Sequence, residues 1–236
     1  MKFNLIVPVA ADKPEYNDTL PYVFRFDEDG VIICVKSILG IDVSQFDHIY
    51  FTILRKHDER FSLSEMLNLQ FKRLGLSQAK VVVLDSPTTC QPETIYQTIR
   101  REGVEGALFI KDSDCYFRSE IYPKNGVAIY PLEELSIVDP RNKSYVAVDD
   151  MFYITNIIEK RVVSHYFTAG GYCFERTETF CEYYERLCGL NPIYLSHIIY
   201  AMLLDKHEFR PIQVKEYKDW GTMHLYKMDL INQQKR

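Results

Sequence analysis

Two carboxylates stand one residue apart in "FIKDSDCYF" (109–117), Asp112 and Asp114. They follow an apolar run of β character, at the point where a buried strand should end. A carboxylate there can hold Mg²⁺, a hard cation that takes one or two protein carboxylates and completes its shell with water and phosphate oxygens. The plainer reading is a solvated turn, because Asp is a common turn residue. A third carboxylate, Asp219 in "YKDWGT" (217–222), follows another strand-like run, with Gly221 permitting a tight turn. On the metal reading Asp219 completes the site with Asp112. Alone, Asp-x-Gly is ordinary turn chemistry.

Other residues bear on the same question. Glu159-Lys160 lies between apolar strands, where Lys160 neutralises a phosphate as a point charge or forms a solvated surface pair. Gly170-Gly171 lets the backbone approach a ligand closely, or merely permits a bend. Glu93 opens a helix. A carboxylate there accepts hydrogen bonds, and an acid in a first helical turn is favoured by the dipole whatever its function. Gln91, beside it, both donates and accepts. His57 in "LRKHDER" reads as part of a solvated charged loop, and His197 as a core histidine on an apolar helix face. His165 and His224 are open between pocket lining and structure. Trp220, the single tryptophan, is placed to buttress Asp219.

These residues need a scaffold that gathers them. "FNLIVPVA" (3–10), "HIYFTIL" (48–54), "KVVVLDS" (80–86) and "GALFIKD" (106–112) read as buried strands. Between them lie a helix expected after Asp29-Gly30, a helix over 62–75 capped by Ser62 and Glu65, and a helix over 92–103. That order implies a parallel sheet covered on both faces. The second half, with "GVAIYPL", "SYVAVDDMFYITNIIEK", "VVSHYFTAGGYCF" and "FRPIQVKEY", reads as antiparallel strands with helices over 177–188 and 193–206. "ETFCEYYERL" has the spacing of a core-facing helix. The expectation is one α/β domain over 1–236 with a mixed central sheet.

The totals narrow the function. A chain of 236 residues with 47% hydrophobic and 26% charged residues can bury a sizeable core. Net charge is −5 and no basic stretch tracks a phosphate backbone, so nucleic acid is not expected as a partner; a small anion in one focused positive pocket is compatible. The six cysteines form no C-x-x-C pair, which favours reduced thiols and a cytoplasmic location. "LSHIIYAMLL" is broken by His197 and ends at Asp205-Lys206, so no membrane association is expected.

The order of these pieces resembles the nucleoside-diphosphate-sugar pyrophosphorylase family of nucleotidyltransferases, with its Rossmann-like, glycosyltransferase-A-type fold. "ALFIKDSDCYF" is similar to that family's strand ending in a metal-binding Asp, "IIEKRVVSHYFTAGGYCFE" to its Glu-Lys element and following strand, "YKDWGT" to its Asp-x-Gly-Thr element, and "TTCQPETIYQTI" to its nucleobase-reading loop. "NKSYVAVDD" (142–150) and the Lys-Asp-x-Asp form of the first motif bring it nearest to the capsule and surface-polysaccharide branch. One departure is plain. The family's N-terminal loop is Gly-rich and followed by Pro-Lys-Pro, whereas "VPVAADKPEYNDTLPYVFR" (7–25) has no Gly, and Tyr22 stands where Lys is expected.

The resemblance implies transfer of a nucleotidyl group from a nucleoside triphosphate to a small phosphorylated acceptor, with CTP favoured because Glu93, by its place in the motif, would accept from the N4 amino group of cytosine, a donor that uracil lacks. Mg²⁺ would be held by Asp112 and Asp219. Lys160 would hold the acceptor's phosphate, and Lys13 the β- and γ-phosphates, with Arg25 as alternative. Ala10, Ala11, Gln91 and Glu93 would line the nucleotide site, and Asp114 would contact the acceptor or sit beside the metal. Two other readings stand beside this one. A metal-dependent glycosyltransferase using a nucleotide sugar accounts for the Asp-Ser-Asp and the missing glycines. A non-catalytic relative accounts for Tyr22.

Overall fold

A computed structural model describes residues 2–134, 142–190 and 192–233. Its strands and helices, in chain order, are β1 (Phe3–Pro8), α1 (Ile33–Lys36), β2 (His48–Leu54), α2 (Arg55–Phe61), α3 (Leu63–Leu74), β3 (Ala79–Leu84), α4 (Gln91–Glu102), β4 (Ala107–Lys111) and β5 (Cys115–Arg118). There follow β6 (Gly126–Pro131), β7 (Ser144–Val148), β8 (Ile154–Glu159), β9 (Tyr166–Phe174), α5 (Thr177–Leu187), α6 (Leu195–Leu204), β10 (Arg210–Gln213), β11 (Lys215–Asp219) and α7 (Met223–Gln233).

The main sheet runs β10-β6-β9-β4-β1-β2-β3, with β7 and β8 joined beside β9. Strands β1 to β4 are mutually parallel, as their buried, β-branched runs require. Strand β9 is antiparallel to both β4 and β6, which makes the sheet mixed. Strand alternation sorts the core onto two faces. Leu5, Val7 and Phe109 pack with Leu63, Leu67 and Phe71 of α3 on one face. Ile6, Leu108 and Ile110 pack with Ile95 and Ile99 of α4, Phe180 of α5 and Ile198 of α6 on the other. Each such fully buried side chain contributes about 1.5–3 kcal/mol relative to exposure.

Several elements depart from expectation. The helix after Gly30 is a single turn, Ile33–Lys36. Ser62 has a left-handed backbone and makes no side-chain cap; Asp58 caps α3 instead, accepting from Ser64 N at 2.6 Å and Ser64 Oγ at 2.7 Å. "RKHDERF" is helical, not a loop, and His57 within it is only 2% exposed because α2 packs it against Tyr16. Residues 209–217 split at Val214 into two strands, β10 parallel to β6 and β11 antiparallel to β5.

β1 is flanked by β2 on one side and β4 on the other, so the chain crosses over in opposite directions from it. Such a switch point opens a crevice beyond the carboxyl ends of the strands, where α/β sheets bind ligands. Asp112 is the first residue past the end of β4.

Candidate active site

The two acidic stretches meet in a two-stranded ribbon. β5 follows Asp112–Asp114 directly, and β11 ends on Asp219; they pair with Asp219 opposite Cys115 and Lys218 opposite Tyr116. The Trp220 backbone N–H then donates to the carbonyl of Asp114 at 2.8 Å. Trp220, 1% exposed, is fixed by its indole N–H to Asp229 at 3.0 Å and by the rings of Tyr116 and Tyr226.

The turn 112–115 is held from below. Lys111 is fully buried, and its ammonium donates to the carbonyls of Asp112 (3.0 Å) and Cys115 (2.8 Å) while lying over the Phe117 ring. From above, Gln91 Nε2 donates to Asp112 Oδ1 at 2.6 Å, and the Asp112 backbone N–H donates to Gly170 O at 2.9 Å. Gly170 has φ +76°, and a Cβ on it would stand 2.7 Å from Asp112 Oδ2 and 2.6 Å from Cys115 Sγ. That position admits only glycine beside the carboxylate.

Asp112, Asp114 and Cys115 bring ligand atoms within 4.8 Å of one another. Burial, and then the Asp112 charge, push the Asp114 carboxyl upward from its ordinary value, with Lys143 opposing. Two like charges in a shielded turn invite a cation between them. Burial pushes the Cys115 thiol up to about 12, so it stays protonated and the useful donors are carboxylate oxygens. Hard oxygen donors of this kind fit Mg²⁺. Asp219, expected beside Asp112 at the metal, is engaged otherwise: Oδ2 pairs with Lys143 Nζ at 2.5 Å and Oδ1 accepts Gly221 N–H at 2.9 Å.

Asp112 and Asp114 form the wall shared by two lobes. One, of about 430 Å³, is bounded by Ala10, Ala11 and Lys13 after β1 and by Thr88, Thr89 and Gln91 at the start of α4. Lys13 lies over the Tyr16 ring at 5.5 Å. The other, of about 370 Å³, is bounded by Lys143, Glu159, Tyr172, Tyr194, Tyr217 and Asp219. Glu159 is anchored there by the hydroxyls of Ser144 and Ser196 (2.8 Å to the latter). Lys160, exposed, reaches the rim by donating to the Tyr194 hydroxyl at 2.9 Å. Tyr22, in the expected lysine's place, packs on the Trp220 cluster. Burial, and then Asp114, raise its phenol far above the ordinary range, so it offers a neutral hydroxyl in place of a cation.

Some sequence expectations take a different form. Glu93 does not face a lobe: Oε2 accepts from Thr89 N (2.6 Å) and Thr89 Oγ1 (2.7 Å), and Oε1 from Gln97 (3.2 Å), which spends the carboxylate on the start of its own helix. Gln91 does line both lobes, with its amide turned to Asp112. Arg25, His165 and His224 are exposed and line neither lobe. Lys111 and Lys143 were not singled out in the sequence. Lys111 carried a signal, an ammonium at the buried end of a strand. Lys143 carried none, since "RNKS" reads as a surface turn.

No protein-family model matches this chain, and no curated protein matches it by sequence. Solved structures do match in fold. A nucleoside-diphosphate-sugar pyrophosphorylase from Vibrio cholerae RC9 superposes with TM-score 0.77 at 14% identity, over 95% of this chain and 98% of that one. An inositol-1-phosphate CTP transferase from T. maritima gives 0.71 at 13%, over 94% and 90%. A UDP-glucose pyrophosphorylase complexed with UDP-glucose gives 0.73 at 13%, over the whole of both chains. The chain therefore has the α/β fold with mixed central sheet of nucleotidyltransferase structures. No helix among the described residues is long and apolar enough to cross a membrane.

Proposed function

We propose that this protein is a Mg²⁺-dependent nucleotidyltransferase that joins a nucleoside triphosphate to a small phosphorylated acceptor and releases pyrophosphate. One observation carries the reading: Asp112 and Asp114 stand on the wall between two separate lobes, so a phosphate entering from each side meets the same acidic turn.

In the reaction an acceptor phosphate oxygen attacks the α-phosphorus, forming one P–O bond, while the bond to the bridging oxygen breaks and pyrophosphate leaves with its electron pair. A phosphate is already ionised at neutral pH, so the chain supplies no general base; it supplies position and charge. Mg²⁺ bound to Asp112 and Asp114 would neutralise charge gathering on the phosphates. Lys13, beside Ala10 and Ala11, is the cation of the nucleotide lobe and takes the β- and γ-phosphates in place of a Gly-rich cradle. Gln91 and Lys111 fix the acidic turn so that it does not reorganise during transfer. Lys160 at the rim draws the anionic acceptor in. Asp219 would be a further metal ligand only with its Lys143 partner displaced.

CTP is the first nucleotide to test, with a surface-glycan role for the product; both follow from the motif resemblance, and Glu93, turned onto Thr89, adds no support. The test is calorimetric titration with CTP, UTP, ATP, GTP and nucleotide sugars, each with and without Mg²⁺, followed by assay of pyrophosphate release with sugar phosphates. Mg²⁺-dependent binding of a triphosphate is expected. Binding of a nucleotide sugar alone would replace this reading with a glycosyltransferase, and silence from every nucleotide would leave a non-catalytic relative.

A further inference from the structure

Lys143 lies just before β7, and its side chain is only 16% exposed. Its ammonium sits 2.5 Å from Asp219 Oδ2, donates to the Tyr217 hydroxyl at 2.9 Å, and lies over the rings of Tyr217 (5.5 Å) and Phe167 (5.7 Å). Asp219 Oδ1 accepts from Gly221 N–H. Both Asp219 oxygens are therefore engaged before any ligand arrives. Lys160 is the opposite case: an exposed cation resting on the Tyr194 ring at 4.5 Å.

A shielded ammonium and carboxylate at this separation attract far more strongly than a surface pair, and leaving either one alone is costly. A divalent cation gaining Asp219 must therefore displace Lys143, and the two positive charges repel within one lobe. A phosphate changes the balance. It offers Lys143 a new partner and leaves Asp219 free.

We propose that Lys143 is the inner phosphate-binding cation of this site, and that its ion pair with Asp219 withholds that carboxylate from the metal until a phosphate-bearing ligand draws the ammonium away. The identity of that ligand rests on the nucleotidyltransferase reading; the ion pair does not. Asp112 and Asp114 then form a weak metal site alone and a stronger one once Asp219 is released. Because coupling between sites is reciprocal, metal and phosphate each strengthen the other's binding through Lys143.

The experiment measures Mn²⁺ bound by the whole chain from the loss of the free-ion electron paramagnetic resonance signal, with no nucleotide present. Lys143→Gln, with its fold checked by circular dichroism, frees Asp219 and is expected to bind Mn²⁺ about tenfold more tightly. Lys143→Arg keeps the charge, and Lys160→Gln leaves the pair intact; both should stay within about twofold of the parent chain. Unchanged or weaker Mn²⁺ binding by a folded Lys143→Gln overturns the proposal.

Asp219→Asn tests it independently, even if Lys143→Gln does not fold. Its Mn²⁺ affinity alone should lie within about threefold of the parent, while the parent's gain on adding inorganic phosphate should shrink. A large loss of affinity without phosphate would show that Asp219 is already a ligand and would sink the idea. Failure of every triphosphate to bind the parent chain would remove the nucleotidyltransferase reading and leave these outcomes standing.

Discussion

Trp220 donates its backbone N–H to the carbonyl of Asp114 at 2.8 Å. This bond, with the pairing of Asp219 opposite Cys115, joins two acidic stretches about a hundred residues apart in sequence into one ribbon. On the proposed metal chemistry, Asp112 and Asp114 are unequal partners. Asp112 is the one whose carboxylate accepts from Gln91 and whose backbone N–H donates to the Gly170 carbonyl, so its side chain is positioned before a ligand binds. Asp112→Asn should lower kcat by about 10²–10³ and remove Mg²⁺-dependent nucleotide binding. Asp114→Asn should cost less, about tenfold, because burial and the neighbouring charge already disfavour its ionised form. Equal, small effects in pyrophosphate release would show that the turn holds no metal.

Gly170 offers a test of the same turn through the backbone. Its φ of +76° is costly for any other residue, and an added Cβ meets Asp112 Oδ2 at 2.7 Å and Cys115 Sγ at 2.6 Å. Gly170→Ala should therefore destabilise the fold by about 1–3 kcal/mol and displace the Asp112 carboxylate. Denaturant unfolding and metal binding, measured together, should both suffer. A variant as stable as the parent that still binds metal would show the contact to be slack.

The strand ends that carry chemistry were readable because their pattern is local. Apolar runs ending in "KDSD" and "KDWG" place the carboxylates at strand ends from spacing alone, and the four parallel strands follow from β-branched runs alternating with helices. What was not readable depends on distant approach. Lys143 is shielded because Tyr217 and Asp219, more than seventy residues on, close over it together with Phe167. Glu93 has the residue type for base reading, but no sequence pattern says that its carboxylate turns back onto Thr89. "RKHDERF" looked solvated because five of its seven residues are charged. Phe61 packs partly against the core, and His57, the one fully buried residue of the helix, is covered by Tyr16 of the N-terminal loop.

His57 should make stability depend on mild acid. Both ring nitrogens are buried without a hydrogen-bond partner, and burial, then Lys56, lower its pKa below 6.5, with Asp12 opposing. The sign follows from proton uptake. The folded state holds the ring neutral, while the unfolded chain protonates near 6.5. Stability from this group is full above that value and declines as pH falls below it, until the folded ring itself protonates. His57→Leu removes the proton uptake, so the stability gap between variant and parent should shift in the variant's favour as pH falls from about 7.5 to about 5.5. Thermal unfolding across that range checks it; a constant gap would mean that His57 does not titrate on unfolding there.

Lys13 and Lys160 stand in different places, and their loss should read out differently. Lys13 bounds the lobe between β1 and α4 and, among the described residues, forms no ion pair, so its charge is available to a ligand. Lys160 stands beyond the other lobe, on Tyr194. Lys13→Gln should raise the KM for the triphosphate about tenfold and leave the acceptor KM near its parent value. Lys160→Gln should do the reverse, raising the acceptor KM by a smaller factor, since an exposed cation is screened by solvent and salt. Raising the salt concentration should mimic Lys160→Gln more than Lys13→Gln, because only the rim charge acts mainly at a distance. Steady-state kinetics with each substrate varied in turn separates the two. A shared effect of both variants on the same KM would mean that the two lobes do not divide the substrates as proposed, and that the nucleotide lies across the acidic turn instead of beside it.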